Sequence, residues 1–366
     1  MLTKADDYPI HQTPEPIAYS GTNRNFYDRY FFNGYALEGE LFFAASLGVY
    51  PYLNVMDASF CVITGNKQYN VHASKAMHME RLDTRVGPVE IEVIEPLNIL
   101  RVTCTDEANG LTADVCFNAR TPVLEEPRFS RHIGSQTMMD VTRLTQNGSY
   151  NGWLEVNGER FELDQTSHWG TRDRSWGIRS VGMRDPQQNP DAGSPQFFWL
   201  WAPINFPDGA TFYHLNANAQ GEPWNSSGNW ASSSEIEHMS DAESQVQYKS
   251  GTRIAAYAEI YLTSKSAETL KLDMTPRQTF YMKGLGYGHP EWGHGLYHGE
   301  LDTGFEVYDL DKISDAEPGN FHVQAICDVT LTGSKGRKEA GKGVLEQLVI
   351  GPYAPYGFND LVDLAQ

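Results

Sequence analysis

Between His168 and Arg179 the sequence reads HWGTRDRSWGIR, which sets two tryptophans, three arginines, one aspartate and one histidine within twelve residues. A plain core strand has no use for this mixture, because a buried charge costs several kcal/mol unless it is paired. In extended chain alternate residues share a face. Asp173, Ser175 and Gly177 then point one way, and Arg172, Arg174 and Trp176 the other. Asp173 in a desolvated lumen would have its pKa raised and serve as general acid, or be held ionised by an arginine as base or cation stabiliser. The bland alternative is an Asp–Arg network that pins two sheets together while tryptophan plugs a barrel end. His168 and Trp169 draw their interest from this company.

A second concentration lies in GYGHPEWGHGLYHGE, Gly286 to Glu300, where His289, Glu291, His294, His298 and Glu300 stand among five glycines. Three histidines and two carboxylates are metal-ligand types. Their spacing is neither HExxH nor a zinc-finger pattern, and the glycines disfavour a helix that would align ligands at i and i+4. An acid–base or hydroxyl-binding role for His289, Glu291 and His294 is the better fit, with Trp292 beside them. Tyr50, Tyr213, His214 and Tyr281 are expected to line a pocket wall. There is no GxGxxG after a strand, no GxxxxGK[ST], no GxSxG and no DxDxDG, so nucleotide and acyl-serine chemistries lose ground.

The elements that must position these residues read as β-strands throughout. Aromatic strands from Asn25 are broken at Asn33-Gly34, Gly39, Pro51 and Gly65-Asn66. Val89, Ile91 and Val93, then Leu100, Val102 and Cys104, are answered across a turn by Leu111, Ala113, Val115 and Phe117, an antiparallel meander with one buried face. Asn157-Gly158 suits a type I′ hairpin. The run MRDPQQNPDAGSPQ marks a boundary, and the expected division is into domains 1–190 and 191–366. Gly336 to Gln347 and the extreme C-terminus are the only helical or coil candidates. The fold class predicted is all-β, two antiparallel β-barrel or sandwich domains in tandem.

The 366 residues carry a formal charge of −19, which disfavours nucleic acid and anionic membrane surfaces as partners. Four scattered cysteines without a CxxC pair, and an N-terminus without an apolar signal segment, predict a cytoplasmic location with free thiols, although Cys104 and Cys116 could face one another. No window is apolar enough to span a membrane. A homodimer is the default oligomer.

The DRSWG element resembles the acidic-x-x-Trp-Gly element of the carotenoid 1,2-hydratase (hydroxyneurosporene synthase) and AttH-like group. A bacterial family within that group is similar at NFYDRYFFNGY, GELFFAASLGVYPYLNVMDASF, EEPRF, WGTRDRSWGIR and GHPEWGHG. The resemblance implies two lipocalin-like barrels and carries over Asp173 and Trp176. In the hydratase the element is closer to Asp-His-Asn-Trp-Gly, whereas here Arg174 and Ser175 follow Asp173, which removes a histidine.

These readings together predict a cofactor-independent lyase or hydratase. Its substrate would be a lipophilic small molecule, an isoprenoid or plant-derived aromatic, bound between the two domains and losing water or formaldehyde. Isomerase or cyclase chemistry is hosted by related folds. Asp173, His289, Glu291 and His294 are the predicted catalytic set, without metal. His168, Trp169, Arg172, Arg174, Trp176, Tyr50, Tyr213, His214, Tyr281 and Trp292 are the predicted binding set. The alternatives are a non-catalytic lipocalin-like carrier, or a metal-dependent enzyme built on the His289–Glu300 cluster.

Overall fold

The computed structural model describes residues 1–19, 23–39, 41–184, 193 and 195–366. The predicted boundary run between 185 and 195 lies almost wholly outside these residues. The first sheet begins with β1 (Phe26–Ala36), β2 (Phe42–Tyr50), β3 (Val55–Thr64), β4 (Lys67–Ala76), β5 (Arg85–Val86), β6 (Val89–Glu95), β7 (Ile99–Asp106) and β8 (Leu111–Ala119). It continues through β9 (Leu124–Glu125), β10 (Phe129–Ile133), β11 (Gln136–Val156), β12 (Glu159–Leu163) and β13 (His168–Ile178).

The second sheet holds β14 (Phe197–Phe206), β15 (Gly209–Ala217), β16 (Pro223–Ala231), β17 (Ile236–His238), β18 (Asp241–Tyr248), β19 (Ala255–Thr263) and β20 (Thr269–Tyr281). The chain then sends β21 (Leu301–Asp309) back to the first sheet, where it pairs with β4, before β22 (Val323–Thr332) and β23 (Lys338–Ile350) complete the second. The first sheet curls into a nearly closed barrel and the second into a half-barrel, so the protein is two β-barrel domains in tandem.

Strand burial follows from this stacking. Every residue of β2 is buried: Phe43, Ala45 and Leu47 face the first barrel's core, and Phe42, Ala44 and Tyr50 face the second sheet. Alternation is lost where both faces are covered. The meander β6–β8 keeps it, with Leu100, Val102, Cys104, Leu111, Ala113, Val115 and Phe117 buried. Asn157 and Gly158 both have positive φ, 52° and 80°, the type I′ turn joining β11 to β12.

Two local readings are corrected. Asn33-Gly34 is not a break but the middle of β1. Asn33 is buried and donates to Gln324 at 3.0 Å, and the ring of Phe43 occupies the space a Gly34 Cβ would need. The Gly336–Gln347 segment is neither helix nor coil beyond its first turn, since β23 lies between β14 and β22 in the sheet. Its glycines serve close packing: a Cβ at Gly341 would stand 2.4 Å from the Phe206 ring. All four cysteines are free thiols. No described helix is long and apolar enough to cross a membrane.

The sheets meet along an aromatic seam that includes Phe31 against Trp201 and Phe42 against Phe280. Polar groups cross it as well. The Asn205 amide donates to Gly170 O at 3.0 Å and to the Tyr35 hydroxyl at 2.9 Å, and that hydroxyl donates to Lys342 O at 2.8 Å. Asn205→Ala strips two buried acceptors of their donor and is expected to lower unfolding free energy by about 1–3 kcal/mol, read as a lower urea midpoint at unchanged slope.

Candidate functional site

The site is built outward from β13, which lies between β1 and β11 with Asp173 opposite Phe31 and Thr145. Gly170 lets β1 approach, because a Cβ there would stand 2.0 Å from Asn33 O. The strand's alternation divides its charges. Arg172 turns into the first barrel, donates to Gln146 Oε1 at 2.9 and 2.7 Å and lies over Phe117. Arg174 pairs with Asp28 at 3.0 Å and covers the Tyr30 ring, with Trp176 half-buried on the same face. Trp169 carries the Arg120 guanidinium 3.9 Å from its ring centre, and His168 Nδ1 accepts from Asp164 N and neighbours the Ser167 hydroxyl.

Asp173 points the other way, toward the second sheet. Its side chain is enclosed by protein yet keeps accessible surface, and no hydrogen-bond donor reaches it among the described residues, so it fronts a gap between the sheets. Burial raises its pKa to about 7; Arg143 and Arg29 oppose the rise, while Glu126 and Glu346 add to it.

The groups around that gap come from both sheets. Arg143 lies 4.6 Å from the ring centres of both Phe129 and Trp199 and donates to Glu126 at 2.9 Å. Glu126 is buried and also accepts from Thr145 and from the Trp201 indole. Glu346 accepts from His322 and Gln324 at 2.8 Å each and from the Trp199 indole at 3.2 Å. Burial raises Glu346, but His322, Gln324 and Arg143 outweigh it and hold the carboxyl below its usual range.

The 286–300 segment closes another side. His294 Nε2 donates to Leu285 O at 2.9 Å, which leaves Nδ1 to accept from Arg179 at 3.0 Å and from Arg29. Burial and these two cations keep it well below the ordinary histidine range and therefore neutral. The Tyr287 ring stands edge-on to His294 and His322, with Arg29 and Arg179 over it at 4.8 and 5.6 Å. Burial raises its phenol, so it stays protonated, and its hydroxyl has no hydrogen-bond partner among the described residues.

His289 goes elsewhere. Its Nδ1 accepts from the backbone N–H of Glu291 and Trp292 at 3.1 and 2.8 Å, so its proton is on Nε2, which donates to Glu306 at 3.0 Å. His72 Nε2 also lies 3.3 Å from Glu306, though without hydrogen-bond geometry, and the hydrogen bond from His289, with His72 close by, holds that carboxyl far below its usual range. These three could in principle gather round a cation. Coordination through His289 Nε2 would, however, demand an imidazolate while Nδ1 accepts two N–H bonds, so the donor set fits a hydrogen-bonded clasp better than a metal.

Trp292 is stacked between His72 and His298, Glu291 is exposed, and Glu300 pairs with His78 on the surface. Tyr50 donates to Asp57, Tyr213 to Ser244, and His214 sits behind Glu126 at 4.0 Å. Tyr281 donates to Asp315 at a separate polar cleft of about 350 Å³ lined also by Lys249, Arg277 and Lys342. Of the predicted catalytic set, the fold brings Asp173 and His294 to one gap and leaves His289 and Glu291 outside it.

A model described as a family of unknown function, DUF8625, matches residues 2–359. The chain belongs to this family. No curated protein matches the sequence. Among solved structures, the DUF8625 chain is similar to an AttH protein of Nitrosomonas europaea, with a TM-score of 0.54 and 11% identity over 93% of this chain and 98% of that one. It is also similar to CghA solved with Sch210972, at 0.53 and 10% identity, covering 89% of each chain. Kievitone hydratase from Nectria haematococca gives 0.49 and 12% identity, covering 88% of each. The likeness to the first two is one of fold, the lipocalin-like architecture that the sequence resemblance implied.

Arg29, Arg143, Glu126, Tyr287, His322 and Glu346 escape a sequence reading because each stands alone in an ordinary-looking strand or loop. The usable signals were that Arg179 closes the HWGTRDRSWGIR segment and that Tyr287 falls inside the glycine-rich histidine segment. Asp173 gives the site a pH signature. The folded state holds the Asp173 proton between the usual carboxylate pKa and about 7 while the unfolded chain releases it, so this residue's contribution to stability falls as pH rises through that window. Asp173→Asn is therefore expected to stabilise the fold increasingly up to about pH 7 and to level off above it, read from urea midpoints across pH.

Proposed function

We propose that this protein is a cofactor-independent lyase of the hydratase kind, using acid–base chemistry on a lipophilic small molecule held between its two β domains. The observation that carries the reading is Asp173: a carboxyl that no hydrogen-bond donor reaches among the described residues, fronting a gap, its pKa raised to about 7 by its surroundings. A group with that pKa is efficient both as donor and as acceptor near neutrality. The walls support an apolar or aromatic ligand, since Phe31, Phe129, Trp199 and Tyr287 surround the polar groups. The bound small molecule in the CghA structure agrees with such use of this fold.

In the proposed reaction Asp173 gives its proton to a departing oxygen, and Tyr287 holds that oxygen by hydrogen bond. Arg29 and Arg143 keep the carboxylate tolerable once the proton has left. An isoprenoid or aromatic alcohol losing water meets these requirements; a hydroxymethyl compound losing formaldehyde would use the carboxyl in reverse, ionised Asp173 taking the hydroxyl proton as the C–C bond breaks and returning it to the carbon left behind.

The test is incubation of the full chain with lipophilic and aromatic alcohols, with products followed by mass spectrometry. A compound should gain or lose water, or lose formaldehyde, and Asp173→Asn should cut turnover at least ~10²-fold while the fold is kept. Recovery of every bound compound unaltered would make the protein a carrier. Full activity in Asp173→Asn would remove that carboxyl from the reaction.

A further inference from the structure

His322 and Glu346 form a carboxylate–imidazole pair on the second-sheet side of the gap. Glu346 accepts the Nε2–H of His322 at 2.8 Å, which leaves the lone pair on Nδ1. Nδ1 has no hydrogen-bond partner among the described residues and is not sealed from solvent. Glu346 cannot swing away, because Trp199 and Gln324 hold it, and the edge-on Tyr287 ring, 4.6 Å away, fixes the imidazole plane. A base oriented by a third group is the arrangement that activates proton transfer.

We propose that His322 is a second catalytic residue of this gap, the base that takes a carbon-bound proton while Asp173 serves the departing oxygen, with Glu346 as its positioning residue. The proposal rests on the lyase reading above and assigns the class of substrate: an alcohol with a removable hydrogen on the neighbouring carbon. His322 Nδ1 takes that hydrogen as a proton. The C–H electron pair becomes the C=C bond, the C–O bond breaks, and the Asp173 proton joins the oxygen, which leaves as water. His322 ends with one proton more and Asp173 with one fewer, and solvent exchange restores both; the reverse sequence adds water.

The groups around His322 are Glu346 from β23, which Gln324 of β22 also binds, and Tyr287 and His294 from the 286–300 segment; Asp173 lies beyond them, near Glu346 and Tyr287, with Arg29 and Arg179 over the Tyr287 ring. The probe is 5-nitrobenzisoxazole, a small aromatic whose ring opens to a coloured phenolate once a base removes its carbon-bound proton. The wild-type chain should open it faster than free imidazole at equal concentration. His322→Ala should lose at least ~10²-fold, lose the acidic limb of the pH profile, and recover on addition of imidazole. Glu346→Gln should keep the imidazole but lower the rate, and Glu346→Asp, which keeps a carboxylate for Nε2–H, should recover part of it. If His322→Ala does not fold, His322→Gln, which keeps a donor for Glu346, serves in its place, and loss of the rate and of the acidic limb is the expected result.

A wild-type rate no better than imidazole overturns the proposal, and so does a His322 variant with full rate. If His322→Ala keeps the rate and Asp173→Asn abolishes it, Asp173 is the carbon base; the proposal falls, while the place of Asp173 in the acid–base chemistry stands. If His322 behaves as expected while Asp173→Asn leaves alcohol turnover untouched, the base stands and the reading of Asp173 falls.

Discussion

Charge buried between two β-sheets is the constraint from which the rest of this structure follows. Arg29, Glu126 and Glu346 are all buried, and each would cost several kcal/mol without compensation. Compensation comes across the seam. Glu126 of the first domain accepts from Trp201 of the second, Arg29 donates to Leu285 O, and Asn33 donates to Gln324. These bonds exist only when the sheets are docked. Assembly of the gap and docking of the two domains are therefore one event, and a change in either is felt in the other.

The histidine-rich segment shows how one loop serves both ends of this arrangement. His289 is pinned by Glu306 on β21, the strand that the second half of the chain lends to the first sheet. Trp292, stacked on His72, packs the same anchor. From it the loop carries Tyr287 and His294 to the gap, where they meet Arg29 and Arg179. Residues that resemble a catalytic cluster in sequence thus divide by task, some fastening the loop and some meeting the arginines between the sheets.

What could be read from the sequence depended on whether the signal was local. The β class, the β6–β8 meander and the Asn157-Gly158 turn were legible because alternation and turn chemistry act over a few residues. Asp173 was legible because its neighbours are anomalous for a strand. The second wall was not. His322 and Glu346 are 24 residues apart and meet only because β22 and β23 pair in a fixed register. The same limit explains the misread glycines of β23 and β1: their purpose is the close approach of Phe206 or Phe43, which no local pattern encodes.

Three carboxyls share the gap, and their environments separate their roles. Glu126 and Glu346 each receive three hydrogen-bond donors, which fix their orientation, and those on Glu346 help to hold its carboxyl below the usual range. Asp173 receives none among the described residues, and it also feels the negative charge of both neighbours. Two satisfied anions thus act on the third as like charges, adding to desolvation so that its proton is retained near neutrality. Pairs of titratable groups pushed apart in this way mark acid and base assignments. On that logic the arginines do not make Asp173 an ion-pair partner. They limit a rise that burial and two fixed carboxylates would otherwise carry further, and they leave the group free to exchange its proton with whatever occupies the gap.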